Sequence, residues 1–282
     1  MSSRRMTTGY FRDGSPVRQI GREAVLMLGG GRALLMQAAH PLVAAGIVEH
    51  SDYELDPWRR LARTMTALYT VVFGTREEAD RVGAAVRAVH ATVRGELAQD
   101  VGRWRAGTPY AADDPELQLW VHGTLLTTGI SMYETYVGEL SRRRQEGFYR
   151  DMRVVAEVFG VPAHVLPPSL RAFRNYERAM LESDALAVGA DARAVARTVL
   201  HPRAPLALLP ALRALRVPAI GLLPQEIRER YGFAWRREHR ALLTSSARSA
   251  RVLLPAVPTP VRMLMSSGRT GLGLRLLAAY AR

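Results

Sequence analysis

The chain has 282 residues, enough for one large domain or two small ones, and its formal net charge is +13. All 39 of its Lys and Arg positions are arginine and cysteine is absent, which excludes a Schiff-base or P-loop lysine, a thiol nucleophile, a disulfide, a thiolate zinc site and cysteine-tethered haem. Hydrophobic residues make up 48% of the chain and charged residues 23%, as is typical of a folded globular protein.

The first half of the chain reads as a polar arm followed by helices. Residues 1–17 are polar and contain Gly, Pro and Ser, so we expect a flexible arm. The spacing of apolar residues and the helix-start signals Asp56-Pro57, Thr75 with Glu78, and Asp114-Pro115 then predict a series of helices. These helices cover 21–37, 42–49, 57–73, 75–104 and 115–137.

The second half is also predicted to be helical. The helices are expected over 141–159, 169–183, 191–200 with Asp191 as N-cap, 205–215, 225–246 and 260–281. No stretch alternates with period two for long enough to indicate a sheet. The sequence therefore predicts an all-α protein with one main domain over residues 18–246 and a basic helical extension over 247–282 packed on it.

His90 is the first residue that could carry chemistry. Val82, Val86, Val89, Val93 and Leu97 are spaced as one buried stripe, and His90 lies on the same side. Arg87 and Arg94 lie three before and four after His90. An imidazole on an apolar wall with flanking arginines suits haem, because the imidazole can bind the iron and the arginines can pair with the propionates. The same pattern fits a core histidine that bonds a carbonyl while the arginines reach solvent.

The preceding predicted helix holds a second polar group. Thr64 falls in the apolar stripe of Leu61, Met65, Leu68 and Val72, with Arg60 one turn before it and Arg63 beside it. A hydroxyl and a guanidinium there could orient dioxygen or stabilise negative charge. A threonine bonded to its own helix and an arginine paired with an acid would give the same pattern.

Two further groups contain histidine. His122 lies among apolar residues and is expected to be buried and neutral, either lining a pocket or satisfied in the core. His40, His50, Asp52 and Glu54 could hold a divalent cation, although such clusters are more often solvated turns with helix caps.

Several segments, in order, resemble a known family. They are residues 29–35 (GGGRALL), 39–46 (AHPLVAAG), 49–51 (EHS), 60–64 (RLART), 87–95 (RAVHATVRG) and 119–125 (LWVHGTL). The ordered set resembles the bacterial family that includes the latex-clearing rubber oxygenases and the fungal MpaB-type oxygenases of mycophenolic acid biosynthesis. The resemblance covers about residues 18–240.

The resemblance implies a globin-like helical fold around non-covalent haem b. By this likeness His90 is the proximal iron ligand, Arg87 and Arg94 lie near the haem, and Arg60, Arg63 and Thr64 lie on its distal side. Arg63 stands where the rubber oxygenases have a lysine that can ligate iron. Because arginine stays protonated and offers no lone pair, a lysine-capped iron is excluded and rubber itself is a doubtful substrate.

The leading hypothesis is therefore a haem b-dependent oxygenase that acts with dioxygen on an apolar alkene or isoprenoid-type substrate. In this scheme Arg60, Arg63 and Thr64 form the catalytic side, while His90, Arg87, Arg94 and His122 bind the cofactor. One alternative is a haem- or lipid-binding protein without turnover. The other is a metal-dependent enzyme that uses His40, His50, Asp52 and Glu54.

Charge and hydropathy also bear on location. Residues 1–19 carry no apolar run and no apolar stretch reaches the ~20 residues of a membrane span, so a cytoplasmic protein is expected. From His239 to Arg282 the chain contains no acid. This segment predicts either peripheral contact with an anionic membrane or a final helix packed on the core with its arginines outward. Nucleic-acid binding is not expected, because no recognised motif accompanies the charge.

Overall fold

The computed structural model describes residues 9–51, 57–202 and 209–258. Within these ranges the protein is all-α, as predicted, with one small antiparallel sheet. In chain order the elements are α1 Pro16–Gly21, a 3-10 helix Ala24–Gly29, α2 Gly30–Ala38, α3 Pro41–His50, α4 Pro57–Phe73, α5 Arg76–Thr92, β1 Arg94–Glu96, β2 Pro109–Ala111, α6 Pro115–Tyr136, α7 Arg142–Phe159, α8 Leu170–Glu182, α9 Ala190–Leu200, α10 Leu209–Gly221, α11 Gln225–Tyr231, α12 Arg237–Leu253 and a 3-10 helix Leu254–Ala256.

Helix α6 is the central element of the fold. It begins where the Asp114 side chain accepts hydrogen bonds from the backbone N–H groups of Glu116 and Leu117. Thirteen of its 22 residues are buried, on all sides of the helix. A helix that is apolar all round must be enclosed by other elements, and α6 packs against α1, α2, α7 and α12.

Two large apolar clusters lie on either side of α6. Leu126 belongs to the first, which α1, α4 and α7 complete with residues such as Val71 and Val155. Trp120 belongs to the second, which α2, α9 and α11 complete with residues such as Leu35. Because α6 contributes to both clusters, it joins the two halves of the molecule into one packed body.

Helices α4 and α5 form a short-looped pair. The turn contains Gly74 and the N-cap Thr75, whose hydroxyl accepts the Glu78 N–H while the Glu78 carboxylate accepts the Thr75 N–H, at 3.2 and 2.9 Å. This confirms the predicted capping box. Since only two residues connect the helices and they pack along their length, the pair is antiparallel.

Helix α5 lies very close to the end of α7. A Cβ atom at Gly83 would lie 2.6 Å from the carbonyl oxygen of Val158, so only glycine permits this approach. The same oxygen accepts a hydrogen bond from Arg87 Nη1 at 2.5 Å. The Val158 carbonyl therefore contacts α5 at two successive turns, at Gly83 and at Arg87.

The prediction of a helix over 75–104 is wrong in its second half. Helix α5 ends at Thr92, and the chain turns into β1, which pairs antiparallel with β2 in the register Arg94 to Ala111. Gly102 and Gly107 have φ angles of +59° and +79°, which interrupt any helix between the strands. Strands of three residues are too short to show a period-two pattern in the sequence.

Other boundaries also differ from the predictions, among them the end of the helix predicted over 205–215, which continues to Gly221 as α10. The predicted helix over 225–246 is two helices, because Gly232 adopts a φ of +71° and ends α11. The predicted helix over 21–37 is a 3-10 helix followed by α2, and the N-cap of α9 is Gly189 rather than Asp191. The proposed N-cap Asp56 and the stretches 205–208 and 260–281 lie outside the described residues.

The boundaries of the flexible arm (1–17) and of the C-terminal extension (247–282) stay predictions. Phe11 and Val17, placed by sequence in the flexible arm, are 7% and 2% exposed and belong to the core. Residue 247, the predicted start of the C-terminal extension, lies inside α12.

In the described residues no single helix is both long and apolar enough to cross a bilayer. The segments Ala24–Ala38 and Pro41–His50 meet that criterion together, but they are bent by 113° at the break between them.

Candidate functional site

His90 lies near the end of α5 and is partly buried. Its Nδ1 atom is enclosed and finds no hydrogen-bond partner among the described residues. Burial lowers the pKa of His90, while the nearby Asp113 carboxylate acts in the opposite direction. The imidazole is therefore neutral at pH 7 and keeps a lone pair for a ligand.

The apolar surface of α5 next to His90 is more exposed to solvent than the sequence predicts. Val89, predicted to be in the buried stripe, is 50% exposed, whereas Leu97 is buried as predicted (3% exposed) but lies beyond the end of the helix. A half-exposed valine next to a partly buried histidine leaves an apolar surface that a flat apolar ligand could cover.

Arg60 lies on α4, and the lengths of the two helices place it roughly level with His90. The α4–α5 turn is 14 to 15 residues from each of them, and in an antiparallel pair equal distances from the turn bring residues level. Its Nη1 atom is enclosed and has no hydrogen-bond partner in the part of the chain that the structure describes. Burial lowers the Arg60 pKa to about 10, so the guanidinium still carries its charge at neutral pH.

Thr64 and Arg63 occupy a different environment from Arg60. Both are exposed, so the prediction that Thr64 lies in the buried stripe of α4 is wrong. The stripe residues Leu61, Met65 and Leu68 are themselves only partly buried. Of the three residues predicted for the distal side, Arg60 alone has an enclosed and unpaired polar atom.

The two arginines flanking His90 each have a partner within the protein. Arg87 donates to the Val158 carbonyl, and Arg94 pairs with Asp113 at 2.6 Å between Nη2 and Oδ2. Arginine has five N–H donors, so these contacts leave others for an anionic ligand. A contribution of Arg87 and Arg94 to propionate binding stays a prediction.

Asp113 is a residue that the sequence analysis did not find. Asp113 lies two residues after the end of β2. The residue before it, Ala112, donates its N–H to the carbonyl of Val93 at 2.9 Å, and Val93 directly follows the last residue of α5. This connection brings the carboxylate close enough to Arg94 to form an ion pair and to His90 to influence its pKa. The only sequence signal for it would have been the β1–β2 pairing, which the short strands conceal.

His122 is buried and neutral, as predicted. It is 8% exposed, and burial lowers its pKa to about 4. The ring bonds the backbone carbonyl of Met152, whereas Nε2 is enclosed and finds no partner within the described ranges. One turn earlier, Gln118 Oε1 is also enclosed and unpaired in those ranges. A role for His122 in binding a cofactor stays a prediction.

The cluster proposed for a divalent cation is not assembled in the described residues. His40 is the N-cap of α3 and His50 is its last residue, which places them roughly 15 Å apart along the helix. His40 lies beside Trp104, with 5.2 Å between ring centroids, and His50 Nε2 is 3.1 Å from the Tyr110 hydroxyl. Asp52 and Glu54 lie outside the described residues. Residues 9–51, 57–202 and 209–258 contain no group of three or more His, Asp or Glu that could hold a metal ion.

Comparison with known proteins identifies relatives of this chain. Residues 17–256 match the family model described as "ER-bound oxygenase mpaB/B'/Rubber oxygenase, catalytic domain". The chain is similar to two uncharacterized proteins, Mb2261 of Mycobacterium bovis and Rv2237 of Mycobacterium tuberculosis. Each is 29% identical over 212 residues, which cover 72% of this chain and 78% of the relative. No solved structure matches at a significant level. The family match spans His90, Arg60 and the helices that carry them, and the chain therefore belongs to the mpaB/rubber oxygenase catalytic-domain family.

Proposed function

We propose that this protein is a haem b-dependent oxygenase that acts with dioxygen on an apolar, alkene-bearing substrate. Membership of an oxygenase catalytic-domain family supports the reaction class. The observation that carries the haem assignment is the neutral, unpaired imidazole of His90 beside the half-exposed Val89.

The last turns of α5, the first residue of β1 and the composition all fit haem. His90 would offer haem iron a neutral nitrogen ligand. Val89 offers exposed apolar surface to the macrocycle, and Arg87 and Arg94 have donors left for carboxylate groups at its edge. Histidine-ligated haem b requires no cysteine, in agreement with the composition.

Haem would supply an iron centre at which dioxygen is activated. The protein's own contribution would come from Arg60, whose Nη1 is enclosed, has no hydrogen-bond partner among the described residues and could donate to an oxygen atom bound near it. Such a donor stabilises negative charge that develops on oxygen, and it acts more strongly where water is excluded. Arg63 and Thr64, both exposed, would contact the substrate or its entry path rather than the enclosed centre.

His90 is preferred to His122 as the iron ligand because of the space around each ring. At Gly123, next to His122, an added Cβ atom would lie 2.9 Å from the Phe173 ring, so this part of α6 is closely packed. A flat macrocycle needs an open face, and the exposed side chain of Val89 marks one beside His90. The globin-like arrangement and the cytoplasmic location stay predictions that accompany this proposal.

The absorption spectrum of full-length protein purified from haem-supplemented cells tests the haem assignment. We expect a Soret band, and we expect His90→Ala to reduce it at least about tenfold, because the nitrogen that would bind the iron is lost. His164→Ala is the matched control, since His164 is exposed and distant in sequence from α4 and α5. A wild-type protein without a Soret band, or an undiminished band in His90→Ala, would contradict the proposal.

Oxygen uptake by the reduced, haem-loaded protein tests turnover. We expect uptake to depend on an added polyisoprenoid or unsaturated lipid and to fall by a factor of about 10² to 10³ in Arg60→Leu, which is the usual loss for one charge-stabilising donor. A normal Soret band with no uptake on any such substrate would instead support a haem- or lipid-binding protein without turnover.

A further inference from the structure

Tyr110 lies on β2 with its hydroxyl between two titratable side chains. The hydroxyl donates a hydrogen bond to the Glu49 carboxylate, with 2.5 Å between Oη and Oε2. His50 Nε2 lies 3.1 Å from the same hydroxyl oxygen. Because the hydroxyl hydrogen points to Glu49, the ring of His50 has to supply the hydrogen of the second bond. The phenol thus has a proton acceptor on one side and a hydrogen-bond donor on the other.

The phenol is enclosed, although both of its partners reach solvent. Tyr110 is 5% exposed and belongs to an apolar cluster that includes Leu42. Glu49 and His50 are exposed residues at the end of α3. Burial raises the pKa of Tyr110, and the hydrogen bond to Glu49 and the charges of Glu49 and Asp191 raise it further. The phenol is therefore un-ionised at neutral pH and keeps its proton until an oxidation removes it.

The backbone around Tyr110 leaves room for the contact between the phenol and Glu49. Gly95 of β1 is paired with Tyr110 in the sheet. A Cβ atom at Gly95 would lie 2.5 Å from the Tyr110 hydroxyl oxygen and 3.0 Å from Glu49 Oε2. Any side chain at position 95 would therefore displace the two groups from each other. The hydrogen bond between Tyr110 and Glu49 depends on this glycine.

Tyr110 lies at the same end of α5 as His90. Val93 directly follows α5, and its N–H donates to the carbonyl of His90 at 3.2 Å. The side chain of Val93 packs against the apolar cluster to which Tyr110 belongs. Three residues, or about 5 Å of helix, separate Val93 from His90. Val93 therefore connects the surroundings of the imidazole to those of the phenol.

We propose that Tyr110 is a redox-active tyrosine, which gives up an electron and transfers its hydroxyl proton to Glu49. The electron passes to a high-potential one-electron oxidant, which in this protein would be an over-oxidised haem at His90. The O–H bond of Tyr110 breaks, an O–H bond forms on the Glu49 carboxylate, and a neutral phenoxyl radical remains. The oxidant gains the one electron that the phenol loses. Only the identity of this oxidant rests on the proposed oxygenase function.

The exposed partners suit the recovery of the phenol. A soluble reductant such as a thiol or ascorbate supplies one electron, and the proton returns from Glu49 to the phenoxyl oxygen. The N–H of His50 can stay hydrogen-bonded to that oxygen throughout, because it donates to the phenol and to the radical alike. Tyr110 would in this way discharge an oxidant that has no substrate before it damages the residues around His90.

Two other tyrosines show what is particular to Tyr110. Tyr231 is equally buried, but its hydroxyl donates to the backbone carbonyl of Leu35, which is too weak a base to hold a proton. The Tyr10 hydroxyl donates to the Asp80 carboxylate, but this pair is exposed and lies near the opposite end of α5. Tyr110 combines burial, a carboxylate partner and a position near the end of α5.

Photochemical oxidation of the haem-free, full-length protein tests the pair itself. Flash-generated tris(bipyridine)ruthenium(III) is the oxidant, transient absorption follows the tyrosyl radical, and Tyr10→Phe is present throughout to remove the exposed phenol that is bonded to Asp80. We expect Tyr110→Phe to lower the radical yield and Tyr231→Phe to leave it unchanged. The rate of radical formation on Tyr110 should fall in D2O, because the proton moves with the electron.

Substitution of the proton acceptor separates a redox role from a structural one. Glu49→Gln keeps a hydrogen-bond acceptor but removes the base, so we expect radical formation to slow by on the order of 10²-fold, the lower end of what a positioned base contributes. Glu96→Gln removes the same charge from an exposed position of β1 and should leave the rate unchanged. Thermal unfolding of each variant confirms that the protein remains folded.

Electron paramagnetic resonance of the haem-loaded ferric protein tests the natural oxidant. After addition of one equivalent of peroxide and rapid freezing, we expect a tyrosyl radical signal that Tyr110→Phe removes and Tyr231→Phe retains. A radical on Tyr110 in the ruthenium experiment but not after peroxide would overturn the assignment of haem as the oxidant.

Three results would overturn the proposal as a whole. They are equal radical yields in Tyr110→Phe and Tyr231→Phe, equal rates in Glu49→Gln and Glu96→Gln, and a rate that is the same in H2O and D2O. Because the ruthenium experiment contains no haem, its failure is separate from failure of the oxygenase function. A protein without a Soret band that still forms the Tyr110 radical would lose the first proposal and retain the redox-active pair.

Discussion

His90 and His122 show how the same side chain serves two regions of the molecule differently. Each has a neutral ring with one enclosed nitrogen that lacks a hydrogen-bond partner among the described residues. His122 lies on the central helix α6, is fixed to the Met152 carbonyl and is surrounded by packed side chains. His90 lies on the outer helix α5, beside the half-exposed Val89. The two imidazoles are alike in being neutral, and they differ in whether a ligand can reach the ring.

This comparison teaches that an unpaired ring nitrogen alone does not identify a ligand site. In the core, such a nitrogen is accommodated by packing and costs stability. At His90 the enclosed nitrogen is Nδ1, whereas Nε2 is neither enclosed nor hydrogen-bonded to a described residue and is available to a molecule that the protein binds. Substitution of His122 should therefore affect mainly the stability of the protein, and substitution of His90 should affect mainly the binding of the cofactor.

The largest expected effect is on stability, from truncating the buried histidine. His122→Ala should lower the free energy of unfolding by about 3 kcal/mol, because it leaves a cavity in α6 and removes the hydrogen bond to Met152. His90→Ala should change it by less than about 1 kcal/mol, since the ring is only partly buried. Urea denaturation of both variants without haem measures the difference. Equal losses in the two variants would remove the distinction between core and open face.

A second, smaller effect should appear on acidification. The pKa of His122 is about 4 in the folded protein and 6.5 in the unfolded chain, so the unfolded chain takes up the proton first as the pH falls. The contribution of His122 to stability is therefore complete above pH 6.5 and is lost progressively down to pH 4. At pH 5 the loss from this group is about 2 kcal/mol.

The variant His122→Gln isolates that contribution, because glutamine is polar but does not titrate in this range. The decrease in unfolding free energy between pH 7 and pH 5 should be about 2 kcal/mol smaller in His122→Gln than in the wild type. His164→Gln changes an exposed histidine and serves as the control. An identical pH dependence in wild type and His122→Gln would mean that the buried ring is protonated as readily as a solvated one.

The smallest expected effect concerns the electrostatics of the open site. Asp113 raises the pKa of His90 against the lowering by burial, so Asp113→Asn should lower that pKa further. Histidine NMR titration of the protein without haem measures the change. Glu116→Gln alters an exposed acid in the first turn of α6 and should leave the His90 titration unchanged. An unchanged His90 titration in Asp113→Asn would show that the carboxylate acts on Arg94 alone.

The sequence predicts the helical elements well where their start signals are local. The Thr75–Glu78 capping box and the Asp114-Pro115 start are both confirmed, because the contacts that define them lie within three residues of each other. The burial of His122 follows equally from its apolar neighbours. These features depend on nearest-neighbour chemistry, which a sequence displays directly.

The sequence does not predict features that depend on distant partners. The end of α5 at Thr92 is coupled to the pairing of β1 with β2, whose strands are separated by twelve residues. The position of Asp113 beside Arg94 depends on the same pairing. Val89 is exposed because no described helix covers that side of α5, and helical periodicity carries no information about which neighbours are present.

The contact between Gly83 and Val158 has a consequence for how the open site could be altered. His90 is seven residues, or roughly 10 Å, along the same rigid helix from Gly83. A side chain added at Gly83 would clash with the Val158 carbonyl. We expect α5 to move away from α7 in response, and the His90 imidazole to move with it. A substitution at position 83 is thus a way to change the position of the His90 side chain without replacing any residue of the site itself.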